Sequence, residues 1–256
     1  MKKLFFALLL VVSSSASAGN FFSVVAADNS TAAAPPSGEV TFRAFTVANG
    51  LGEEFSPTIR TINAPAGLAE GDTMLLVVRQ DIAGTLTWPS GFTLVASVSL
   101  SVPSTEIVSI AQKVAGASEP ATYDITIATG GYPYIRTAMF AWSGAAATTP
   151  LEDYTATAYD TSDGYQLTHT AVAVGVATGT AGRKLIQLSC AKPGSSQTIT
   201  HTPPASFTEL FDQDEMGVSD YTDTAGTDTG DKTSTFTFDG ANDATRWAFL
   251  LALTPL

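Results

Sequence analysis

Residues 88–95, WPSGFTLV, return at 203–210 as PPASFTEL. Each phrase is a proline-bearing turn followed by Phe-Thr, and a longer order repeats with it. GDTMLLVV (71–78) precedes the first copy, and TYDITIA (122–128) and IRTAMFAW (135–142) follow it. GRKLIQLS (182–189) precedes the second, and STFTF (234–238) and TRWAFLLAL (245–253) follow it. One strand programme is written twice, the signature of an internal duplication. The order predicts that Phe92 lies over Phe207 and Arg136 over Arg246 when the halves are superposed. Proline fixes φ and bars the turn from a central ladder. The small residue then allows a tight turn, and each phenylalanine is expected as a buried plug at a sandwich edge.

From Glu39 onward, short segments rich in Val, Ile, Thr, Phe and Tyr are separated by Gly, Pro, Asn and Asp. EIVSIAQKVA (106–115) comes nearest to a helix, but its β-branched residues and two-residue alternation favour a strand. About a dozen strands at this spacing predict an all-β protein, an antiparallel β-sandwich of jelly-roll or immunoglobulin-like type. With 45% hydrophobic and 14% charged residues, the chain can bury a sizeable core. MLLVV, TAMFAW and WAFLLAL are apolar on both faces, so they are expected as central, doubly covered strands. Cys190, the single cysteine, alternates with Ile186 and Leu188 and is read as a core residue that can form no disulfide within the chain.

The N-terminus reads as an export leader. Lys2 and Lys3 precede an apolar run over 4–12, and Ala16 and Ala18 form an A-x-A cleavage site. The run is too short to span a bilayer as a helix, so no membrane span is expected after cleavage. The expected organisation is a signal peptide at 1–18, a flexible tether at 19–38 and a sandwich domain at 39–256. Its related halves cover about 39–150 and 151–256, and the mature chain is expected to begin at Gly19, outside the cell or on its surface. The formal charge of −12 leaves no basic surplus to neutralise phosphates, which argues against nucleic acid as a partner.

Little points to catalysis. His169 and His201 are the only histidines, and neither an H-E-x-x-H pair nor a G-x-S-x-G elbow is present. Glu53, Glu54, Glu152 and Asp153 could supply paired carboxylates, but they fall among ordinary turn residues. The segment 212–223, DQDEMGVSDYTD, places acids at positions 1, 3, 9 and 12 of a calcium-loop spacing with glycine at 6. Met216 at position 5, Asp instead of Glu at 12 and the missing helices rule out an EF-hand. Asp212, Asp214, Asp220 and Asp223 stay candidate Ca²⁺ ligands, set against the plainer reading of a solvated acidic loop. Tyr132 and Tyr134, at a glycine turn, are candidate stacking surfaces for a glycan, although tyrosine is also an ordinary strand residue.

The order P-A-G…G-D at 65–72, P-S-G-F-T-L at 89–94, A-x-x-x-A-x-x-x-E-P-A-x-Y at 111–123 and A-x-x-x-W-S-G at 138–144 resembles a recurring β-sandwich family. P-P-A-x-F-T-E at 203–209 and W-A-x-L-L-A-L-T-P at 247–255 extend the resemblance over roughly residues 58 to 256. The family occurs in phage virion proteins and in bacterial secreted or surface proteins. The resemblance implies a jelly-roll or immunoglobulin-like sandwich and brings no catalytic residues. The leader departs from the virion side, since phage proteins assemble inside the cell. The expected function is a non-catalytic, surface-displayed module with a structural or adhesive role, its partner a cell-surface glycan or sister subunits. The alternatives are a virion head-decoration or tail component and, third, a secreted carbohydrate-active enzyme.

Overall fold

A computed structural model describes residues 38–48, 59–81, 84–100, 106–128, 135–159, 166–193, 198–213, 215–242 and 244–256. These residues hold strands and turns and no helix. The first half contributes β1 (Thr41–Val47), β2 (Ile59–Asn63), β3 (Thr73–Gln80), β4 (Thr85–Thr87), β5 (Thr93–Leu100), β6 (Glu106–Val114), β7 (Thr122–Ala128) and β8 (Ile135–Ser143). The second contributes β9 (Leu151–Tyr159), β10 (Gln166–Ala173), β11 (Arg183–Pro193), β12 (Ile199–Thr202), β13 (Thr208–Gln213), β14 (Met216–Asp223), β15 (Lys232–Asn242) and β16 (Ala244–Leu253).

The sheets repeat with the sequence. In the first half the orders are β1-β8-β3-β6-β5 and β2-β7-β4; in the second they are β9-β16-β11-β14-β13 and β10-β15-β12. Adding eight to every strand number turns one set into the other. First pairs with eighth, second with seventh and third with sixth, which is jelly-roll winding. In both copies the fifth strand joins the larger sheet beside the sixth.

Alternation along the central strands explains the stacking. Leu75 and Val77 of β3 enter a central core, while Met74, Leu76 and Val78 enter a second core against β7. Ile186, Leu188 and Cys190 of β11 meet the central core from the other side, and Leu185 and Ala191 enter a third core against β15. The two five-stranded sheets are thus packed on one another, and each three-stranded sheet caps the outer side of its own partner, giving four layers and three cores. The doubly apolar runs are central as expected: all residues of β3 and β16 are buried, and all of β8 except Arg136.

The doubled phrase folds alike in both copies. The Phe92 amide donates to the Pro89 carbonyl and the Phe207 amide to the Pro204 carbonyl, each at 3.1 Å. Gly91 (φ 85°) and Ser206 (φ 73°) are both left-handed, and both phenylalanines are buried in the core of their own half. The arginines do not correspond. Turn glycines Gly71 and Gly182 both have positive φ and both donate to the sixth strand or its end, at Ala115 and Asp223. From that anchor Arg136, opposite Arg79, matches Trp247, opposite Cys190. Arg246 lies one residue earlier and faces the other side of its sheet, because neighbouring strand residues point to opposite faces.

Candidate functional site

The candidate calcium ligands serve separate partners. Asp212 Oδ2 accepts from the His201 backbone N–H at 3.1 Å. Asp220 is buried between the halves, where Trp142 Nε1 donates to its Oδ2 at 3.2 Å and Lys184 Nζ lies 4.0 Å away. Burial raises the Asp220 carboxyl above its ordinary range, and Lys184 and Trp142 pull it back in part. Asp223 Oδ2 holds the fully buried Arg183 at 2.9 Å, while its Oδ1 caps the turn through the Ala225 and Gly226 amides. Arg183 also donates to the carbonyls of Ala177 and Thr227, so Asp223 and Arg183 together fix this end of the sandwich. Among the described residues no group of three or more His, Cys, Asp or Glu is placed to hold a metal ion. Asp214, Tyr132 and Tyr134 lie outside the described residues.

A second set of charges was not read from the sequence. Glu215 contacts Arg79 and lies 2.8 Å from Arg136 Nη1, so one carboxylate of the second half holds two arginines of the first. Glu106 of the first half contacts Lys192, accepts from Thr245 Oγ1 at 2.6 Å and lies 3.5 Å from Arg79 Nη2. Arg79 also lies 5.8 Å from the centre of the Trp247 ring. Burial raises the Glu215 carboxyl, and Arg79, Arg136 and Lys192 offset part of that. Beside this cluster, burial pushes the Cys190 thiol up to about 12, so it is an inert core residue. The signal was present as charges at the ends of apolar runs, Arg79 after MLLVV and Glu106 before IVSI.

A shallow cleft of about 440 Å³ opens beside the first proline turn, with Pro89, Ser90, Lys113, Glu119 and Tyr123 in its walls. Glu119 accepts from Lys113 Nζ and from Tyr123 Oη, each at 2.5 Å, and from the Gly116 amide at 2.6 Å. Burial pulls Glu119 upward, but these donors outweigh it and hold the carboxyl below its ordinary range. Burial and the Glu119 carboxylate push the Tyr123 hydroxyl well up. The three side chains therefore form a closed cluster in which the Glu119 carboxyl is held down and the Tyr123 hydroxyl pushed up.

A regular surface lies on the outer face of β10-β15-β12. Three strands carry T-x-T triplets: Thr168-His169-Thr170, Thr200-His201-Thr202 and Thr235-Phe236-Thr237. The middle residue of each points inward and is buried. The pairing aligns Thr168, Thr237 and Thr200 in one row and Thr170, Thr235 and Thr202 in the next. Thr235 is half-buried and the other five are exposed.

Compared with protein-family models, with curated proteins and with solved structures, the chain matches none.

Proposed function

We propose that the chain is a non-catalytic, exported β-sandwich module with a structural or adhesive role at a surface, a cell-surface glycan being the candidate ligand. The observation that carries this reading is the four-layer stack. Duplication has joined two jelly rolls through a common core, leaving two outward sheet faces on one body. Several ionisable groups in its interior are tied into pairs that bind strands, turns and halves together, as Glu215 and Asp223 illustrate. Jelly rolls serve lectins and viral capsids alike, and loops on such scaffolds are where ligands bind. The strand order therefore also supports the second reading, a virion subunit packed against sister copies.

The test is twofold. Mass spectrometry of the native N-terminus should find Gly19, and a glycan array should retain the wild type but not Tyr132→Ala/Tyr134→Ala. An intact Met1 together with assembly into regular particles would favour the virion subunit. Hydrolysis of a polysaccharide by the purified chain would overturn both readings.

A further inference from the structure

We propose that the outer face of β10-β15-β12 is an ice-binding surface. Its two rows of three threonines form a small lattice. Neighbouring strands lie about 4.8 Å apart, and alternate residues along a strand repeat at about 6.7 Å. Hexagonal ice presents its oxygen rows at two repeats of comparable size on its prism face. A threonine supplies a hydroxyl that can replace a lattice water and a methyl that orders the waters between the rows.

Three further observations favour this occupant. Five of the six threonines are exposed and the sixth is half-buried, so the rows face an outside partner. The rows hold neither a charge nor an aromatic ring, which disfavours polyanions and stacked sugars. The face is also backed firmly: His169, Phe236 and His201 are buried beneath it in one row, and Arg246 Nη1 donates to the Thr170 carbonyl at 2.7 Å.

The duplication supplies an internal control. The matching face on β2-β7-β4 has the same strand pairing, but there Ile59 aligns with Thr126 and Thr87, and Thr61 donates to Asp124 at 2.6 Å. Strand propensity for threonine acts on both copies. Only the second carries the lattice.

Sheet twist limits the match to a few strands, so the expected thermal hysteresis is small and incorporation into ice is the sensitive readout. Full-length chain labelled at its N-terminus is exposed to slowly growing polycrystalline ice, beside an inert acidic protein of similar size. The wild type should enter the ice and slow its recrystallisation. Thr235→Lys at the centre of the lattice, and Thr202→Lys on the outer strand β12, should abolish both effects, each with a melting temperature matching the wild type. Thr126→Lys, the same change on the other copy's face, should leave them intact. Exclusion of the wild type from ice, or an equal loss in Thr126→Lys, would overturn the proposal, as would threonine-dependent pelleting with crystalline cellulose or chitin without entry into ice. A negative glycan array would end the adhesive reading and leave this one standing, since no tyrosine takes part.

Discussion

Acid should loosen the second half through His201. This ring is 3% exposed, packs on Phe236 with centroids 5.2 Å apart, and occupies the space over Gly217 that any side chain there would overlap. Among the described residues neither ring nitrogen has a hydrogen-bond partner. Burial lowers its pKa from 6.5 to about 4, so the folded state takes up a proton much later than the unfolded chain. A depressed value means that the stability contributed is complete above pH 6.5 and is lost as pH falls toward 4. Linkage puts the loss at about 2 kcal/mol by pH 5 and about 3 kcal/mol near pH 4. Glu209, whose carboxylate lies 3.7 Å from Nδ1, is exposed and weakly coupled through solvent, while Asp212 accepts from the His201 backbone amide. Glu215 and Asp220, both raised by burial, act in the opposite sense as acid is added. The histidine is therefore read as a difference. Urea denaturation between pH 4 and 7 is compared for wild type and His201→Leu, which fills a similar volume without a titratable nitrogen. The variant should lie within about 1.5 kcal/mol of wild type at pH 7 and overtake it progressively in acid. Parallel curves for the two proteins, or an NMR titration of the His201 ring centred near 6.5, would refute the argument.

Glu215→Ala should cost about 3 to 5 kcal/mol in denaturant unfolding, because it removes the carboxylate that Arg136 faces and leaves Arg79 with Glu106 at 3.5 Å; a loss under about 1 kcal/mol would show that solvent reaches the cluster. Ser206→Gly should stabilise by about 0.5 to 1 kcal/mol, since it relieves a left-handed serine that the first copy builds with glycine. The converse change, Gly91→Ser, should destabilise by more than about 1 kcal/mol, because a Cβ there meets Lys113 Cε at 2.9 Å and φ is positive; thermal melting of the pair checks both signs.

Periodicity made the strands readable because it is local. TYDITIA alternates exposed and buried throughout β7, and the doubly apolar runs became the doubly covered strands. The repeated turn was readable because proline, a small residue and phenylalanine recur at fixed spacing. What stayed hidden depends on register. Arg136 and Arg246 look alike in a string of letters, and only sheet pairing shows that they face opposite sides. Arg79 and Glu215 are 136 residues apart, and nothing local ties one to the other. The aspartates between 212 and 223 suggested a single ion site, yet strand alternation and turn capping send Asp212, Asp220 and Asp223 to three different partners. The threonine triplets were visible as letters, but their rows exist only once β15 lies between β10 and β12.

The charged row between the sheets has a consequence for stoichiometry. Arg79 and Arg136 of the first half occupy the positions that Cys190 and Trp247 occupy in the second. Two first halves set face to face would confront four arginines with only the two Glu106 carboxylates among them. Two second halves would confront tryptophan with tryptophan and take both arginine partners from each Glu215, leaving Lys192 as the cation that acts on it. The two halves complement each other in charge more fully than either complements itself, and the covalent chain delivers them in equal number.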